Sequence, residues 1–286
     1  MKPFGPATWR LIQTPPARGA WNMAVDESIL DAVRLDEVPA TLRLYAWEPA
    51  CFSLGYAQSV KDVDRTALAD RGWDLVRRPT GGRAILHTDE LTYSVIGPPE
   101  DERLEGSVLE SYRCLASALL QALHLLDIQA EAHDKSLLDG NSPTPAEREN
   151  PVCFEVPSNY EITVDGKKLI GSAQARRKDG VLQHGSLPLC GDLRRIVEVL
   201  VFPTQQERAE AGQRLLRRAA TVESAFASQV LRAPVSWERA AQSFIQAFQE
   251  TLNLHLEPAS LTTAELARAD ELVVEKYAHH KCTGRI

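Results

Sequence analysis

The chain has 286 residues, 44% of them hydrophobic and 25% charged, which is enough to bury a full-sized core. No apolar stretch approaches the ~20 residues that a membrane-spanning helix needs, and a formal net charge of −7 argues against a general nucleic-acid binder, whose phosphate contacts need a basic field. Five cysteines scattered over positions 51, 114, 153, 190 and 282 without a CxxC pair, and seven histidines without an HExxH pattern, argue against a disulfide framework and a metal site and fit reduced thiols in a cytoplasm.

The first 21 residues, "MKPFGPATWRLIQTPPARGAW", hold no continuous apolar run after the early lysine, so no secretory signal is expected. "NMAVDESILDAVRL" (22–35) places Val25, Ile29, Ala32 and Val33 at helical spacing, with Asn22 as the expected N-cap. "ATLRLYAW" (40–47) alternates as a half-buried strand does, and "CFSLGYAQ" (51–58) reads as a second strand. "VDRTALADRG" (63–72) predicts a helix closed by Gly72, "WDLVRRP" a strand, and "RAILH" and "ELTYSVIG" two more strands after the turn "PTGG".

"VLESYRCLASALLQALHLL" (108–126) predicts a long amphipathic helix. Residues 134–151 lack periodicity and read as a loop leading to Cys153. "YEITV" and "KKLIG" are strands joined by Asp165-Gly166, a strong hairpin signal, and "VLQHGSLPL" is another strand. From about residue 192 the pattern turns helical, through "DLRRIVEVLVF", "ERAEAGQRLLRRAATVESAF", "SWERAAQSFIQAFQETLN" and "TAELARADELVVEKYA". The expected class is α+β, a mixed sheet flanked by helices: a main domain over 1–250, with its core from about 36, and a helical tail over 251–286.

A two-residue Asp-Gly loop pairs Val164 with Lys167, Thr163 with Lys168, Ile162 with Leu169 and Glu161 with Ile170. Lys167 then shares a face with Ile162, Val164 and Leu169, while Lys168 points the other way, with Glu161, Thr163 and Ile170. Lys168 is therefore the better candidate for chemistry, although a lysine on an exposed sheet face is the plain alternative. Cys153 is either buried filler or a nucleophile whose thiolate a neighbouring cation stabilises. "VRRPTGGRAILH" (76–87) is neither GxGxxG nor a P-loop; its glycines either allow close approach to a ligand or make a simple turn. Basic residues gather in two places, Arg77, Arg78 and Arg83 in one, Lys167, Lys168, Arg176, Arg177 and Lys178 in the other. If those segments meet, an acidic protein carries a basic mouth.

"WNMAVDESIL", "RRPTGGRAILHTDELTYSV", "PVCFEVPSNYEITVDGKKLIGSAQARR" and "LQHGSLPL", in this order and spacing, resemble the biotin/lipoate protein ligase superfamily. The closest likeness is to the cysteine-dependent octanoyltransferases of Gram-positive-type lipoate synthesis. The resemblance covers roughly residues 8–190 and implies a biotin-protein-ligase-like catalytic domain. It implies Cys153 as the acyl-thioester nucleophile and Lys168 as the superfamily's lysine. It further implies Arg78, Gly81, Gly82 and His87 as the acyl-pocket motif, with Gly171, Ser172 and Ala173 as the small-residue wall facing it. Arg83 stands where lipoate-activating ligases more often have a third glycine, which sides with the transferase branch. Asn159 occupies a position associated with tryptophan, which bears on the shape of the acyl pocket.

The implied reaction moves octanoyl from acyl carrier protein through a cysteine thioester to a lysine of the glycine-cleavage H protein or another lipoyl domain. It needs no cofactor and no metal, and a monomer is expected. Backbone amides near Gly171–Ala173 or Gly81-Gly82 are candidate oxyanion donors, and Arg176, Arg177 and Lys178 candidate docking residues for an acidic partner. The alternatives are an ATP-dependent lipoate–protein ligase, an amidotransferase moving octanoyl from H protein to other lipoyl domains, and a non-enzymatic acyl-carrier-binding module.

Overall fold

The computed structural model describes residues 4–134, 160–226, 234–279 and 284. In chain order they form β1 (Ala7–Gln13), α1 (Gly19–Arg34), β2 (Thr41–Tyr45), β3 (Cys51–Leu54), α2 (Arg65–Asp70), β4 (Asp74–Arg77), β5 (Ile85–His87), β6 (Glu90–Gly97), α3 (Val108–Leu125) and β7 (Glu131–Asp134). After these come β8 (Tyr160–Val164), β9 (Lys167–Arg177), β10 (Gly180–Pro188), a 3-10 helix (Leu193–Val199), α4 (Gln205–Arg218), α5 (Trp237–Leu252), β11 (Leu254–Pro258) and α6 (Thr263–Leu272). Among the described residues the strands make one eight-stranded sheet, in the order β11-β1-β2-β6-β10-β9-β8-β7, and one three-stranded sheet, β4-β3-β5.

The large sheet is mixed: β11, β1 and β2 run parallel, and the ladder from β2 to β7 is antiparallel. Helices cover both of its faces. On one side Leu42, Leu44, Tyr93 and Val95 pack with Leu115 and Leu119 of α3 and Phe244 and Phe248 of α5. On the other, Ile12, Tyr45, Ile96 and Leu182 pack with Val25 and Ile29 of α1 and Ala269 and Leu272 of α6. Every residue of β6 is buried as a result, as expected for a central strand between two helical layers. The small sheet closes a third core with the 3-10 helix and α4, through Phe52, Leu54, Ile196 and Leu215.

Local chemistry sets the helix ends. Ser107 and Glu110 form a reciprocal capping box at α3, which satisfies two otherwise orphaned backbone donors. Asp64 caps α2, and Gly72, at φ 66°, takes the left-handed turn that follows it. Asn22 does not cap α1, which begins at Gly19. Its side chain instead donates to the carbonyls of Ala17 and Ala46, at 3.1 and 2.9 Å, and accepts from Arg43 at 2.8 Å. Backbone carbonyls and a buried guanidinium claim the amide in place of the helix end.

Three elements differ from expectation. β1 lies well before residue 36 yet is an interior strand of the sheet, between β11 and β2, with Trp9 only 1% exposed. The segment read as a helical tail supplies β11, which pairs in parallel with β1 from Ala7↔Leu254 to Leu11↔Pro258. The long helix read through residues 207–226 breaks after Arg218, where Ala219 is extended and bridges Lys168.

Candidate active site

The β8–β9 hairpin turns through Asp165 (φ 48°) and Gly166 (φ 72°), the left-handed pair that a type I′ turn requires. The expected pairs Val164↔Lys167 and Thr163↔Lys168 form, but the next pair is Ile162↔Ile170, not Ile162↔Leu169. Leu169 is therefore a bulge residue. Leu169 and Ile170 both enter the core beside Ile162 and Val164, which corrects the expectation that Ile170 shares the face of Lys168.

An unbulged strand would put Lys168 on the same face as Ile170 and Ser172, because side chains alternate with period two. The extra residue reverses that parity, and Lys168 comes to the face of Gly171 and Ala173. Lys168 is 6% exposed, and its Nζ lies 3.3 Å from the Glu161 carboxylate, also buried. The chain after α4 covers its backbone, with the Ala220 amide donating to the Lys168 carbonyl at 3.0 Å.

Further along the same sheet a cleft opens between the large and small sheets, lined by residues of both. Arg78, Gly82, His87, Gly171, Ser172 and Ala173 all line it. Gly81 sits on the same turn, exposed, its carbonyl accepting from Arg78 at 2.8 Å. Lys168 is not a lining residue; three strand positions, roughly 10 Å, separate it from Gly171. Cys153 lies outside the described residues, as does Asn159.

The glycine turn is held by two buried chains of hydrogen bonds. In the first, His87 Nδ1 lies 2.7 Å from Glu90 and Nε2 lies 2.7 Å from Ser53 Oγ. Arg78 in turn donates to Ser53 Oγ and to the carbonyls of Ser53, Gly81 and Arg83. Trp47 stacks on His87, with centroids 4.1 Å apart, and its indole donates to Thr92. In the second chain, Asp26 of α1 accepts from Arg43, Tyr45 and Ser94, and His184 Nδ1 lies 3.3 Å from it. His184 Nε2 is 2.6 Å from Thr80 Oγ1, in the turn itself.

Burial pushes the Asp26 carboxyl upward, but the charge of Arg43 and the hydrogen bond from His184 outweigh it, and its pKa is lowered overall. Burial holds His184 below its ordinary value despite the partial offset from Asp26. Of the residues in this second chain, sequence reasoning singled out none as functional. The available signals were a charge on the buried stripe of α1 and a histidine inside the strand "VLQHGSLPL". On the cleft wall Ser186 is fully buried, and its Oγ has no hydrogen-bond partner among the described residues.

The expected basic mouth takes a different form. Arg77, 4% exposed, donates to the carbonyls of Gly55, Tyr56 and Gln58, and so fixes the loop that abuts the glycine turn. Gly55 is needed there because a Cβ would lie 1.9 Å from the Gly82 carbonyl oxygen. Arg176 donates to the Leu104 carbonyl, and Arg177 pairs with Glu27 at 3.3 Å. These two arginines also stand at the far end of β9 from Lys168, roughly 30 Å along the strand. Among the described residues no group of three or more His, Cys, Asp or Glu side chains is placed to hold a metal ion, and no helix is long and apolar enough to cross a membrane.

A large mixed sheet flanked by helices on both faces, with a smaller sheet across a cleft, is the fold of the lipoate-protein ligases. The same fold is seen in a bipartite lipoate protein ligase from Thermoplasma acidophilum, with a TM-score of 0.77 at 22% identity, covering 98% of each chain. It is seen again in a lipoate-protein ligase A bound with ATP, with a TM-score of 0.74 at 23% identity, covering 98% of this chain and 100% of that one. Residues 18–249 match the family model described as "Lipoyl protein ligase A/B catalytic domain", and the chain belongs to that family. Curated relatives include proteins named Octanoyltransferase LipM. That of Kyrpidia tusciae is 41% identical over 95% of this chain and 97% of its own length, and that of Bacillus subtilis 35% identical over 95% and 96%.

Proposed function

We propose that the chain is an acyltransferase of protein lipoylation that moves an octanoyl group to a lysine of a lipoyl domain. The observation that carries the reading is the bulge at Leu169, which aims a buried lysine at the face of Gly171 and Ala173, on the wall of the cleft. The near-full-length likeness to octanoyltransferases supports the acyl group. The bipartite lipoate protein ligase of Thermoplasma acidophilum, studied with its E2 lipoyl domain, shares the fold, which favours a lipoyl domain as acceptor.

In the mechanism, octanoyl arrives as a thioester on acyl carrier protein, and the Cys153 thiolate attacks its carbonyl carbon. The carbon–sulfur bond to the carrier breaks, and the carrier thiolate leaves and takes up a proton. The neutral amine of the acceptor lysine then attacks the octanoyl-cysteine. The bond to Cys153 breaks, an amide forms, and the amine's proton is released as the thiolate is restored. The first exchange trades one thioester for another and the second runs downhill to an amide, so no nucleotide is consumed. A thiol of ordinary pKa ~8.5 is only a few per cent thiolate at pH 7. Lys168, as a cation, favours the ionised form if it meets Cys153, and each unit of depression corresponds to about 1.4 kcal/mol.

The test is incubation of the purified chain with octanoyl-acyl carrier protein in the absence of ATP, followed by intact mass. A hydroxylamine-labile octanoyl adduct on Cys153 that passes to an added lipoyl domain is the expected result. Transfer at the wild-type rate by both Cys153→Ser and Cys153→Ala refutes the covalent route, and transfer that requires ATP and free acid makes the chain a ligase.

A further inference from the structure

We infer that Ser186 Oγ is a catalytic hydrogen-bond donor to the reacting acyl carbonyl, strengthening as that oxygen gains negative charge. The inference rests on the octanoyl-transfer reading and adds a residue to it. Ser186 is 0% exposed, lines the cleft, and its hydroxyl has no partner among the described residues. Buried hydroxyls in folded proteins are almost always hydrogen-bonded, and an orphan is costly enough to call for an explanation. The neighbouring side chains of the cleft do have partners: Thr92 donates to Glu90, His87 bonds Ser53, and His184 bonds Thr80.

Strand register fixes which end of the cleft Ser186 occupies. It pairs with Gly171, and the cleft-lining stretches are 171–173 on β9 and 184–186 on β10. Beyond Gly171 toward the start of β9 comes Lys168, on the same face once the bulge is counted. Ser186 is therefore the last lining residue of β10 before the lysine. A chain lying in the cleft with its reactive carbon toward Lys168 passes its carbonyl by this hydroxyl. On attack the carbon–oxygen double bond opens, the oxygen becomes an oxyanion, and the Ser186 hydrogen bond tightens without any proton being transferred. A donor already fixed and dry at that place costs no reorganisation when the charge appears.

The test compares wild type, Ser186→Ala and Ser186→Thr with octanoyl-acyl carrier protein as donor and a lipoyl domain as acceptor, together with thermal melts. Ser186→Ala is expected to lower kcat by about 10²–10³-fold, the usual loss for one oxyanion donor, with KM for the donor changed less than about threefold. Ser186→Thr, which keeps the hydroxyl, is expected to recover most of the rate. A purely structural serine would show itself in the melt instead. Removal of an unpaired buried hydroxyl leaves Tm unchanged or raises it, so a lowered Tm with proportionate loss of active protein overturns the inference. An unaltered kcat in Ser186→Ala overturns it too, while the transfer reading stands. A wild-type chain that turns over no octanoyl thioester overturns that reading and the inference together.

Discussion

The replacement Asp26→Asn keeps the shape of a buried side chain while removing its charge. Asp26 and Arg43 are both 0% exposed and meet at 2.7 Å. Arg43 also donates to the Asn22 carbonyl, Asn22 Oδ1 and Thr14 Oγ1, all neutral acceptors. The variant therefore leaves a fully buried guanidinium without a counter-charge. Breaking one side of such a pair costs about 3–5 kcal/mol, a large part of a total stability of about 5–15 kcal/mol. For a chain of 286 residues this corresponds to a fall in Tm of roughly 5–8 °C. Urea unfolding and thermal melts measure it, and the double variant Asp26→Asn/Arg43→Met supplies the control. Removing both charges is far less damaging than stranding one, so the double variant should recover much of the loss. A single variant destabilised by less than about 1 kcal/mol, or a double variant no more stable than the single, would refute the reasoning.

Gly55→Ala sets a methyl group 1.9 Å from a backbone oxygen of Gly82; the turn must move, and octanoyl transfer should fall at least tenfold in a steady-state assay while the protein stays folded. His184 titrates below its ordinary 6.5 because burial disfavours its cation. The unfolded chain takes up that proton first, so stability is expected to decline as pH drops below about 6.5. His184→Asn should flatten the decline between pH 6.5 and 5; an unchanged slope in urea titrations counts against the assignment. The lowered carboxyls of Asp26, Glu27 and Glu265, by contrast, contribute stability above their ordinary values of 3.8, 4.5 and 4.5 that is lost only in stronger acid. Lys168→Met should remove transfer by about 10²-fold or more, and Lys168→Arg should not restore it, since a planar guanidinium does not replace a compact ammonium beside Glu161; recovery by Arg, read in the same assay, would reduce the lysine to a generic cation.

What the sequence made legible, and what it hid, divides along physical lines. Periodicity identified α1, α3, α5 and most strands because their apolar positions face a core close at hand. Of the strands it missed, β1, β7 and β11, the first and last pair with each other across about 250 residues, and nothing local marks that partnership. β11 nonetheless alternates, Leu254 and Leu256 in, His255 and Glu257 out; the helical pattern on both sides of it masked the change of period. In β2 the alternation was visible but misleading. "TLRLY" reads as one apolar and one wet face, yet all five residues are buried. Arg43 faces not water but Asp26, and a polar residue paired in the interior leaves the same mark in a sequence as one in solvent.

The site shows the same division more sharply. The motif residues Arg78, Gly82, His87, Gly171, Ser172 and Ala173 come together along one cleft. That Lys168 shares the face of Gly171 and Ala173 was not legible, because it depends on one unpaired residue. Ideal pairing after the Asp-Gly turn sends Lys168 away from Lys167, but then carries Ile170 along with it. The faces of "KKLIGSA" cannot satisfy both core and cleft under strict alternation: Leu169 and Ile170 are each apolar enough to demand burial, while Lys168, Gly171 and Ala173 must share the opposite side. Two consecutive apolar residues that both need the core are a reason for a bulge between them. The strand therefore carries the demand for the bulge in its own composition, and the bulge is what turns a hairpin lysine to the face of Gly171 and Ala173.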